Sequence, residues 1–290
     1  MGKKLSIADF KTMKAENRRF GMVTCYDYTI ASLIEKSDME AILVGDSLGI
    51  VAYGYKTTTP VTLEQMIYAL QGVCAGAPSK FIVGDMPFGT YNVSWRQAIR
   101  NANRLVKEGG CDCVKVEGGA EIADKIEAIV KSGTPVMGHI GLTPQTAASM
   151  GGMEYQGKSL EAVKKLIADI QAIEAAGAFA CSVDNVPVKA AEKIAAAADI
   201  PLFSGNSGPT GIGYGLNFYD IVGLPCGYSD GGARKYTRNY LQLKDVVIDL
   251  MNQFDADVKN GEYPKPEECY SLEVEGMEEL WKVVRERRGE

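Results

Sequence analysis

Short apolar runs alternate with longer amphipathic stretches along most of this chain. Between the apolar runs, apolar residues recur at intervals of three and four, which predicts helices at residues 94–107, 120–131, 160–175 and 188–198. Alternating strands and helices are typical of βα units on a parallel sheet, so eight strands would close a (β/α)8 TIM barrel. The apolar runs predict seven strands at residues 22–26, 41–44, 81–84, 113–116, 135–138, 178–183 and 201–203, and a weaker eighth at 224–226.

Additional helices flank the predicted barrel. Residues 7–16 predict a helix before the first strand, which we expect to plug the bottom of the barrel. After the eighth strand come a helix at 241–259, a turn at 263–266 and a tail helix at 277–287. The tail carries an apolar stripe of Leu280, Trp281 and Val284, expected to pack on its own barrel or on a neighbouring subunit.

The chain contains no repeat, low-complexity segment or linker that would divide it. We therefore predict one barrel domain over residues 1–290, with an N-terminal helical segment at 1–20 and a C-terminal tail helix within 264–290. Three of the predicted helices are followed by glycine, which favours the left-handed conformation of helix C-caps. These glycines are Gly109 and Gly110, Gly133, and Gly177.

Length, charge and composition exclude several classes of function. With 290 residues, of which 46% are hydrophobic, the chain suits one barrel of about 250 residues with additions. A net charge of -6 argues against a nucleic-acid partner and favours a small-molecule substrate. The start, Met1-Gly2-Lys3-Lys4, lacks the apolar stretch of a secretory signal, and no run is long enough to span a membrane. We expect a cytoplasmic protein.

The cysteines indicate packing and not a disulfide framework. The chain has seven, an odd number, and no Cys-x-x-Cys pair. Cys25, Cys113 and Cys181 lie inside apolar runs, where cysteine behaves as a small hydrophobe, so we expect them in the core.

Acidic side chains and the only histidine occur directly after the apolar runs, at the same position relative to each run. Enzymes with parallel barrels gather their catalytic groups at the carboxyl ends of the strands. The residues at these positions are Asp27, Asp46, Asp85, Glu117, His139 and Asp184.

Two of these acids suggest a metal site. Asp46 and Asp85 each end an apolar run, and carboxylates from neighbouring strands would suit Mg²⁺, although each could instead cap the following turn or helix. Lys115 and Glu117 alternate onto the same face of a strand, either the barrel interior or a solvated strand end. His139 follows the fifth run, and is either structural or at the same rim.

Six ordered segments stand out along the first half of the chain: YDY at 26–28, GDSLG at 45–49, TPVT at 59–62, DMPF at 85–88, KVEGG at 115–119 and GHIGLTPQ at 138–145. Together they resemble ketopantoate hydroxymethyltransferases. The resemblance is dense over residues 20–145 and thinner through Asn185-Val186-Pro187 and residues 260–264. It implies membership of the phosphoenolpyruvate mutase and isocitrate lyase superfamily, whose enzymes bind Mg²⁺ and a 2-oxo acid at the barrel mouth.

The resemblance also implies roles for single residues. The family transfers a hydroxymethyl group from 5,10-methylenetetrahydrofolate to C3 of 3-methyl-2-oxobutanoate, and its members form homo-oligomers, commonly decamers. Both the folate donor and this assembly are therefore expected here. The implied roles are metal binding by Asp46 and Asp85, with Glu117 holding the metal's waters; grip of the 2-oxo acid carboxylate by Ser47 and Lys115; and contact with the reacting region by His139.

The second half of the chain departs from the family. Asp184 stands where the family has the glutamate that acts as base, and Tyr55, Ala69 and Tyr219 stand where it has histidines. Residues 204–209 and 212–214 also differ from the family's glycine-rich turn and its Asp-Gly-Gln.

These changes keep two alternatives open. One is a Mg²⁺-dependent aldolase or C–C lyase for a different 2-oxo acid or dicarboxylate. The other is a barrel without catalysis that serves in binding or assembly. A basic cluster at residues 234–238 could attract the anionic tail of a folate, or be a solvated helix start.

Overall fold

The computed structural model describes residues 4–224, 237–272 and 274–289. The chain forms two compact units, residues 1–241 and residues 242–290. The first contains the barrel, and the second contains helices. The sequence-based expectation of one domain stays a prediction.

Eight parallel strands close into a barrel in sequence order, which confirms the predicted fold. Neighbouring strands pair along the whole circuit, and β1 closes the ring by pairing with β8 from Phe20↔Gly213 to Thr24↔Asn217. All strand carboxyl ends therefore meet at one mouth. The strands are β1 Phe20–Thr24, β2 Ala41–Val44, β3 Phe81–Asp85, β4 Cys113–Glu117, β5 Val136–Gly141, β6 Ala180–Asp184, β7 Leu202–Gly205 and β8 Gly213–Asn217.

Helices follow the strands and cover the outside of the barrel. Positive φ angles at Gly110, Gly133 and Gly177 confirm these predicted glycine caps, whereas Gly109 was wrongly placed after its helix and is the last residue of a π-helix. The helix α5 continues as a π-helix, Leu105–Gly109, and α6 is preceded by a 3₁₀ turn, Ala120–Ile122. The α-helices of this unit are α1 Ile7–Ala15, α2 Tyr28–Glu35, α3 Leu48–Val51, α4 Leu63–Gly76, α5 Trp95–Arg104, α6 Ala123–Lys131, α7 Leu160–Ala175, α8 Val188–Ala197 and α9 Phe218–Ile221.

The predicted position of the eighth strand was wrong. The strand is Gly213–Asn217, which contains two glycines and an asparagine and lacks a continuous apolar run. Leu224 lies beyond α9 and is not part of a strand, and residues 225 and 226 lie outside the described residues. The pairing of β8 with both β7 and β1 compensates for its low strand propensity.

The bottom of the barrel is plugged by α1, as predicted. Phe10 of α1 is fully buried, and its ring centroid lies 5.2 Å from that of Phe20, 4.8 Å from Phe81 and 6.0 Å from Phe203. These rings belong to β1, β3 and β7, so one helix residue contacts strands on different sides of the barrel. Apolar material therefore fills the end opposite the mouth.

The three cysteines that the sequence assigned to the core lie in two apolar clusters. Cys25 and Cys181 belong to the cluster shared by the strands and the outer helices, and Cys113 belongs to the cluster around Phe10 of α1. Cys25, Cys113 and Cys181 are fully buried, which confirms that prediction. Burial raises the pKa of each of these thiols, so they stay protonated and act as small apolar groups.

The second unit consists of α10 Leu243–Lys259, a 3₁₀ turn Pro266–Glu268 and α11 Met277–Arg288. Both helices were predicted from their apolar spacing. Leu280 and Trp281 of the tail stripe are exposed, so what covers this stripe stays a prediction. None of the helices among the described residues is both long and apolar enough to cross a membrane.

Candidate active site at the barrel mouth

Five of the six predicted rim residues converge on one cleft at the mouth. The exception is Asp27, which was wrongly expected there. Its side chain accepts a hydrogen bond from the backbone N–H of Ile30 at 2.9 Å and caps α2. This is the common role of an aspartate before a helix. The five that line the cleft are Asp46, Asp85, Glu117, His139 and Asp184.

Asp46 and Asp85 lie side by side on the mouth and are both buried. The backbone N–H of Asp46 donates to Asp85 Oδ2 at 3.1 Å. Burial raises the pKa of both carboxyl groups, and the neighbouring Glu117 and Asp85 raise that of Asp46 further. Two carboxylates held this close favour a cation between or beside them.

Lys115 is the buried cation of this cluster. Its Nζ lies 2.9 Å from Asp85 Oδ1, and Lys115 and Glu117 share the interior face of β4, which confirms the predicted alternation. Burial alone would lower the pKa of Lys115, but Asp85, Glu117 and Asp46 raise it above its usual range. Lys115 is therefore charged, and it offsets part of the negative charge of the cluster.

His139 lies between two carboxylates. Its Nδ1 is 3.2 Å from Glu117 Oε1 and its Nε2 is 3.3 Å from Asp184 Oδ2, while Lys115 Nζ is also 3.2 Å from Nδ1. Burial and Lys115 lower the pKa of His139, but Asp184 and Glu117 outweigh them and raise it to about 9. The imidazole is therefore protonated near neutral pH and links the β4 and β6 sides of the mouth.

Gln145 forms hydrogen bonds to two of the acidic side chains. Sequence reasoning gave it no role. Its Nε2 donates to Asp46 Oδ2 at 2.8 Å, and its backbone N–H donates to Glu117 Oε2 at 3.0 Å. Its Oε1 accepts from the buried Tyr91 hydroxyl at 2.7 Å. The only sequence signal was its place at the end of the GHIGLTPQ segment.

Asp184 occupies a different environment from the other acids. Its side chain is 34% exposed, against 4% for Asp85. Ser182 Oγ donates to Asp184 Oδ1 at 2.5 Å, and a Cβ at Gly205 would collide with the same carboxylate. Burial raises the pKa of Asp184, but His139 and Ser182 outweigh it, so the carboxyl group is ionised and faces the cleft.

Ser47 also faces the cleft, at the start of the turn after β2. Its Oγ lies 2.7 Å from the hydroxyl of Tyr26, which in turn accepts from Asn217 Nδ2 at 2.6 Å. Three strand ends, those of β1, β2 and β8, are thus joined on this side of the mouth.

The charges at the mouth leave room for a divalent cation. Among the described residues that line the cleft, five carboxyl groups meet two cationic side chains, Lys115 and His139. Burial and the crowding of the acids raise the pKa of Asp46 and Asp85, and a bound cation would relieve this crowding. In the described ranges, no group of three or more His, Cys, Asp and Glu side chains forms a ready ligand cage. A cation that keeps waters and uses one or two carboxylates needs no such cage.

A profile of the family described as ketopantoate hydroxymethyltransferase matches residues 4–266. A protein named 3-methyl-2-oxobutanoate hydroxymethyltransferase from Heliobacterium modesticaldum is 44% identical over 275 residues, covering 95% of this chain and 98% of its own. The chain belongs to the ketopantoate hydroxymethyltransferase family. A relative of the same name from Alkaliphilus metalliredigens is 40% identical and covers 99% of both chains. The predicted family and the predicted transferase class are thus confirmed.

Solved structures with the same fold belong to more distant enzymes. A phosphonopyruvate hydrolase in complex with oxalate and Mg²⁺ has a TM-score of 0.59 at 13% identity and covers 99% of this chain and 98% of its own. A 2,3-dimethylmalate lyase of the phosphoenolpyruvate mutase and isocitrate lyase superfamily has a TM-score of 0.58 at 13% identity and covers 99% of both chains. At these identities the likeness is one of fold.

Asp184 and residues 204–206, which depart from the ketopantoate hydroxymethyltransferase pattern, line the cleft, whereas Tyr55 and Tyr219 are not among its lining residues. Tyr219 stacks on Tyr26 with ring centroids 5.9 Å apart, and the Tyr55 hydroxyl accepts from Gln65 Nε2 at 3.1 Å. Of the predicted basic cluster, residues 234–236 lie outside the described residues, whereas Thr237 lines the cleft. Folate binding by this cluster, cytoplasmic location and assembly into a homo-oligomer, such as a decamer, remain predictions.

Proposed function

We propose that this chain transfers a hydroxymethyl group from 5,10-methylenetetrahydrofolate to C3 of 3-methyl-2-oxobutanoate and so forms ketopantoate. The observation that carries this proposal is the connected set of Asp46, Asp85, Lys115, Glu117 and His139 on one mouth, reached by a separate carboxylate, Asp184. The names of the relatives support the same acceptor.

Mg²⁺ fits the residues present. Asp46 and Asp85 would hold it directly, and Glu117 would hold its waters, because hard carboxylate oxygens suit this ion and the buried acids outnumber the cationic side chains beside them. When bound, Mg²⁺ would polarise the keto and carboxylate oxygens of the 2-oxo acid as a Lewis acid and so make the C3 proton more acidic. The Mg²⁺ complex of the phosphonopyruvate hydrolase supports this choice of ion.

The carboxylate of the 2-oxo acid would be gripped by Ser47 and Lys115. Ser47 offers a hydroxyl on the β2 side of the cleft, and Lys115 offers a charged ammonium on the β4 side. A charged donor and a neutral donor on either side of one carboxylate would fix its position, and so the position of C3.

Asp184 would accept the proton that C3 loses. Its carboxylate is ionised, faces the cleft and is held by Ser182 and His139, which leaves it little freedom to turn away. Protonated His139 would stay ion-paired with Asp184 and keep a positive charge near the negative charge that develops on the acceptor. C3 would then form its new bond to the one-carbon unit; water supplies the hydroxyl oxygen and tetrahydrofolate leaves.

One alternative has an observation in its favour. The β6 to β8 side of the mouth carries Asp184 and Asn206, where the chain differs from the family pattern, and this favours another 2-oxo acid or a dicarboxylate as the acceptor. Aldolases and lyases share this fold with transferases.

Product analysis separates the two functions. We expect the protein with Mg²⁺, 5,10-methylenetetrahydrofolate and 3-methyl-2-oxobutanoate to form ketopantoate, detected by mass spectrometry, and to use pyruvate and 2-oxobutanoate poorly. Turnover of the unbranched acids with no turnover of the branched acid would reject the proposal in favour of the alternative. No reaction with any 2-oxo acid or dicarboxylate would reject both.

A further inference from the structure

A hydrogen-bonded chain of three side chains crosses the point where the barrel closes. Asn217 lies at the end of β8, Tyr26 follows β1 and Ser47 follows β2. Asn217 Nδ2 lies 2.6 Å from the Tyr26 hydroxyl oxygen, which lies 2.7 Å from Ser47 Oγ. Only the last of these, Ser47, has a place in the proposed grip on the substrate carboxylate.

The orientation of the Asn217 amide is determined by a second contact. Its Oδ1 accepts a hydrogen bond from the backbone N–H of Tyr219 at 3.1 Å and caps α9. The amide nitrogen must therefore point to Tyr26, and an amide nitrogen can only donate. The Tyr26 oxygen is the acceptor in that bond.

The direction of this bond sets the direction of the next one. A hydroxyl group that accepts a hydrogen bond becomes a better donor, because hydrogen bonds in a chain polarise one another. We propose that Tyr26 donates its hydrogen to Ser47 Oγ, so that the Ser47 hydrogen is directed into the cleft for the carboxylate of the 2-oxo acid. Asn217 and Tyr26 are then positioning residues for substrate binding, an inference that rests on the proposed function.

Packing supports this arrangement. Tyr26 is buried, and its ring stacks on Tyr219 at an interplanar angle of 19°. Tyr219 thus contacts two of the three hydrogen-bonded side chains: its ring stacks on Tyr26, and its backbone N–H donates to Asn217. The hydroxyl of Tyr26 is held in place while the serine stays accessible from the cleft.

The substitution Asn217→Asp reverses the direction with little change in shape. A carboxylate still caps α9, but it can only accept, so Tyr26 would give its hydrogen to the new carboxylate and Ser47 would turn its own hydrogen towards Tyr26. By isothermal titration calorimetry in saturating Mg²⁺, we expect 3-methyl-2-oxobutanoate to bind about 10-fold more weakly or worse, which is the size expected for a lost hydrogen bond to a charged group.

The same substitution in a Ser47→Ala background is the matched control. The negative charge introduced at position 217 would weaken binding of an anionic substrate in both backgrounds, whereas the effect that passes through Ser47 would disappear in the second. We expect the loss caused by Asn217→Asp to be several-fold smaller in Ser47→Ala than in the wild-type chain. Equal losses in the two backgrounds would overturn the inference, as would unchanged affinity in Asn217→Asp itself.

Tyr26→Phe is a second variant that breaks the chain without adding charge. We expect weaker binding of 3-methyl-2-oxobutanoate here too, again coupled to Ser47, and thermal unfolding would verify that each variant is folded. If the wild-type protein binds this acid and both substitutions act additively with Ser47→Ala, only the present inference fails. If the wild-type protein binds no 2-oxo acid, the proposed function fails with it.

Discussion

The β2–β5 side of the mouth and the β6–β8 side both carry polar side chains at strand ends, but they bury them to different degrees. On the first side, Asp46, Asp85, Lys115 and Glu117 are almost fully buried and interact with one another. On the second side, Asp184 is one-third exposed and Asn217 is half-buried.

Charge compensation explains the difference. A buried charge is costly unless it has a partner, so each residue of the β2–β5 side constrains the others, and one substitution there leaves several groups uncompensated. The β6–β8 side uses single hydrogen bonds to partly solvated groups, which can change one at a time. Most departures from the family pattern, including Asp184 and residues 204–209, lie on this second side, where we expect substrate preference to be set. Tyr55 and Ala69 are exceptions, because they lie between β2 and β3.

The largest effect is expected from Asp46→Asn on the buried side. Removing one of two proposed metal ligands should lower Mg²⁺-dependent turnover by about 10³-fold or more, since Lewis-acid stabilisation amounts to several kcal/mol. Turnover of ketopantoate and Mg²⁺ affinity by titration calorimetry would measure this.

The metal-free stability of this variant provides the control. Burial and the nearby carboxylates raise the pKa of Asp46, which means that its ionised form destabilises the folded state. The neutral amide should therefore leave the unfolding temperature of the metal-free protein unchanged or raise it. A lower unfolding temperature, with Mg²⁺ binding retained, would show that Asp46 is structural.

A smaller effect is expected from Asp184→Asn on the exposed side. An amide cannot accept the C3 proton, so the exchange rate at C3 should fall by about 10²- to 10⁴-fold, the usual contribution of a general base. Mg²⁺ affinity should be unchanged, because Asp184 is not among the proposed ligands. Loss of metal binding in this variant would contradict the division of the mouth into two sides.

Ser182→Ala should have a still smaller effect. It removes the 2.5 Å hydrogen bond that holds Asp184 Oδ1, and we expect C3 exchange to slow by about 5- to 10-fold, in line with one lost hydrogen bond. The fall should appear in kcat with little change in KM, and Ser182→Thr should restore most of it. A change in KM alone would indicate a binding role for Ser182.

The smallest catalytic effect is expected from Phe10→Ala at the opposite end of the barrel. Deleting this fully buried ring should lower the free energy of unfolding by about 3–5 kcal/mol, measured by urea denaturation, because a cavity would remain among Phe20, Phe81 and Phe203. The kcat of the folded variant should be unchanged. A large fall in kcat would show that the plug and the mouth are coupled.

Strands that consist of a continuous apolar run could be predicted from the sequence, and a strand without such a run could not. The second strand was predicted with its observed bounds, Ala41–Val44, because a parallel strand buried on both faces is a continuous apolar run. The eighth strand, Gly213–Asn217, has no such run and is held by its two neighbours, so an apolar stretch further along was taken for it. Tertiary pairing overrode local propensity there.

Charged side chains were the part of the candidate site that could be predicted from the sequence. Acids and the single histidine stand out after apolar runs, and five of these six positions line the cleft. Asp27 was misplaced because an N-cap and a rim acid occupy the same position in sequence. Gln145, Ser182 and Asn217 were missed because amides and hydroxyls are common in loops, and their partners are defined only in three dimensions.

The most direct test of the central claim is the exchange of the C3 hydrogen of 3-methyl-2-oxobutanoate with solvent deuterium, followed by NMR without any folate. The barrel mouth is proposed to join a metal-binding side to a separate carboxylate base. The wild-type protein should therefore exchange C3 only with Mg²⁺ present, and both Asp46→Asn and Asp184→Asn should abolish or greatly slow the exchange. Exchange that is independent of Mg²⁺, or that persists at the wild-type rate in Asp184→Asn, would contradict this account.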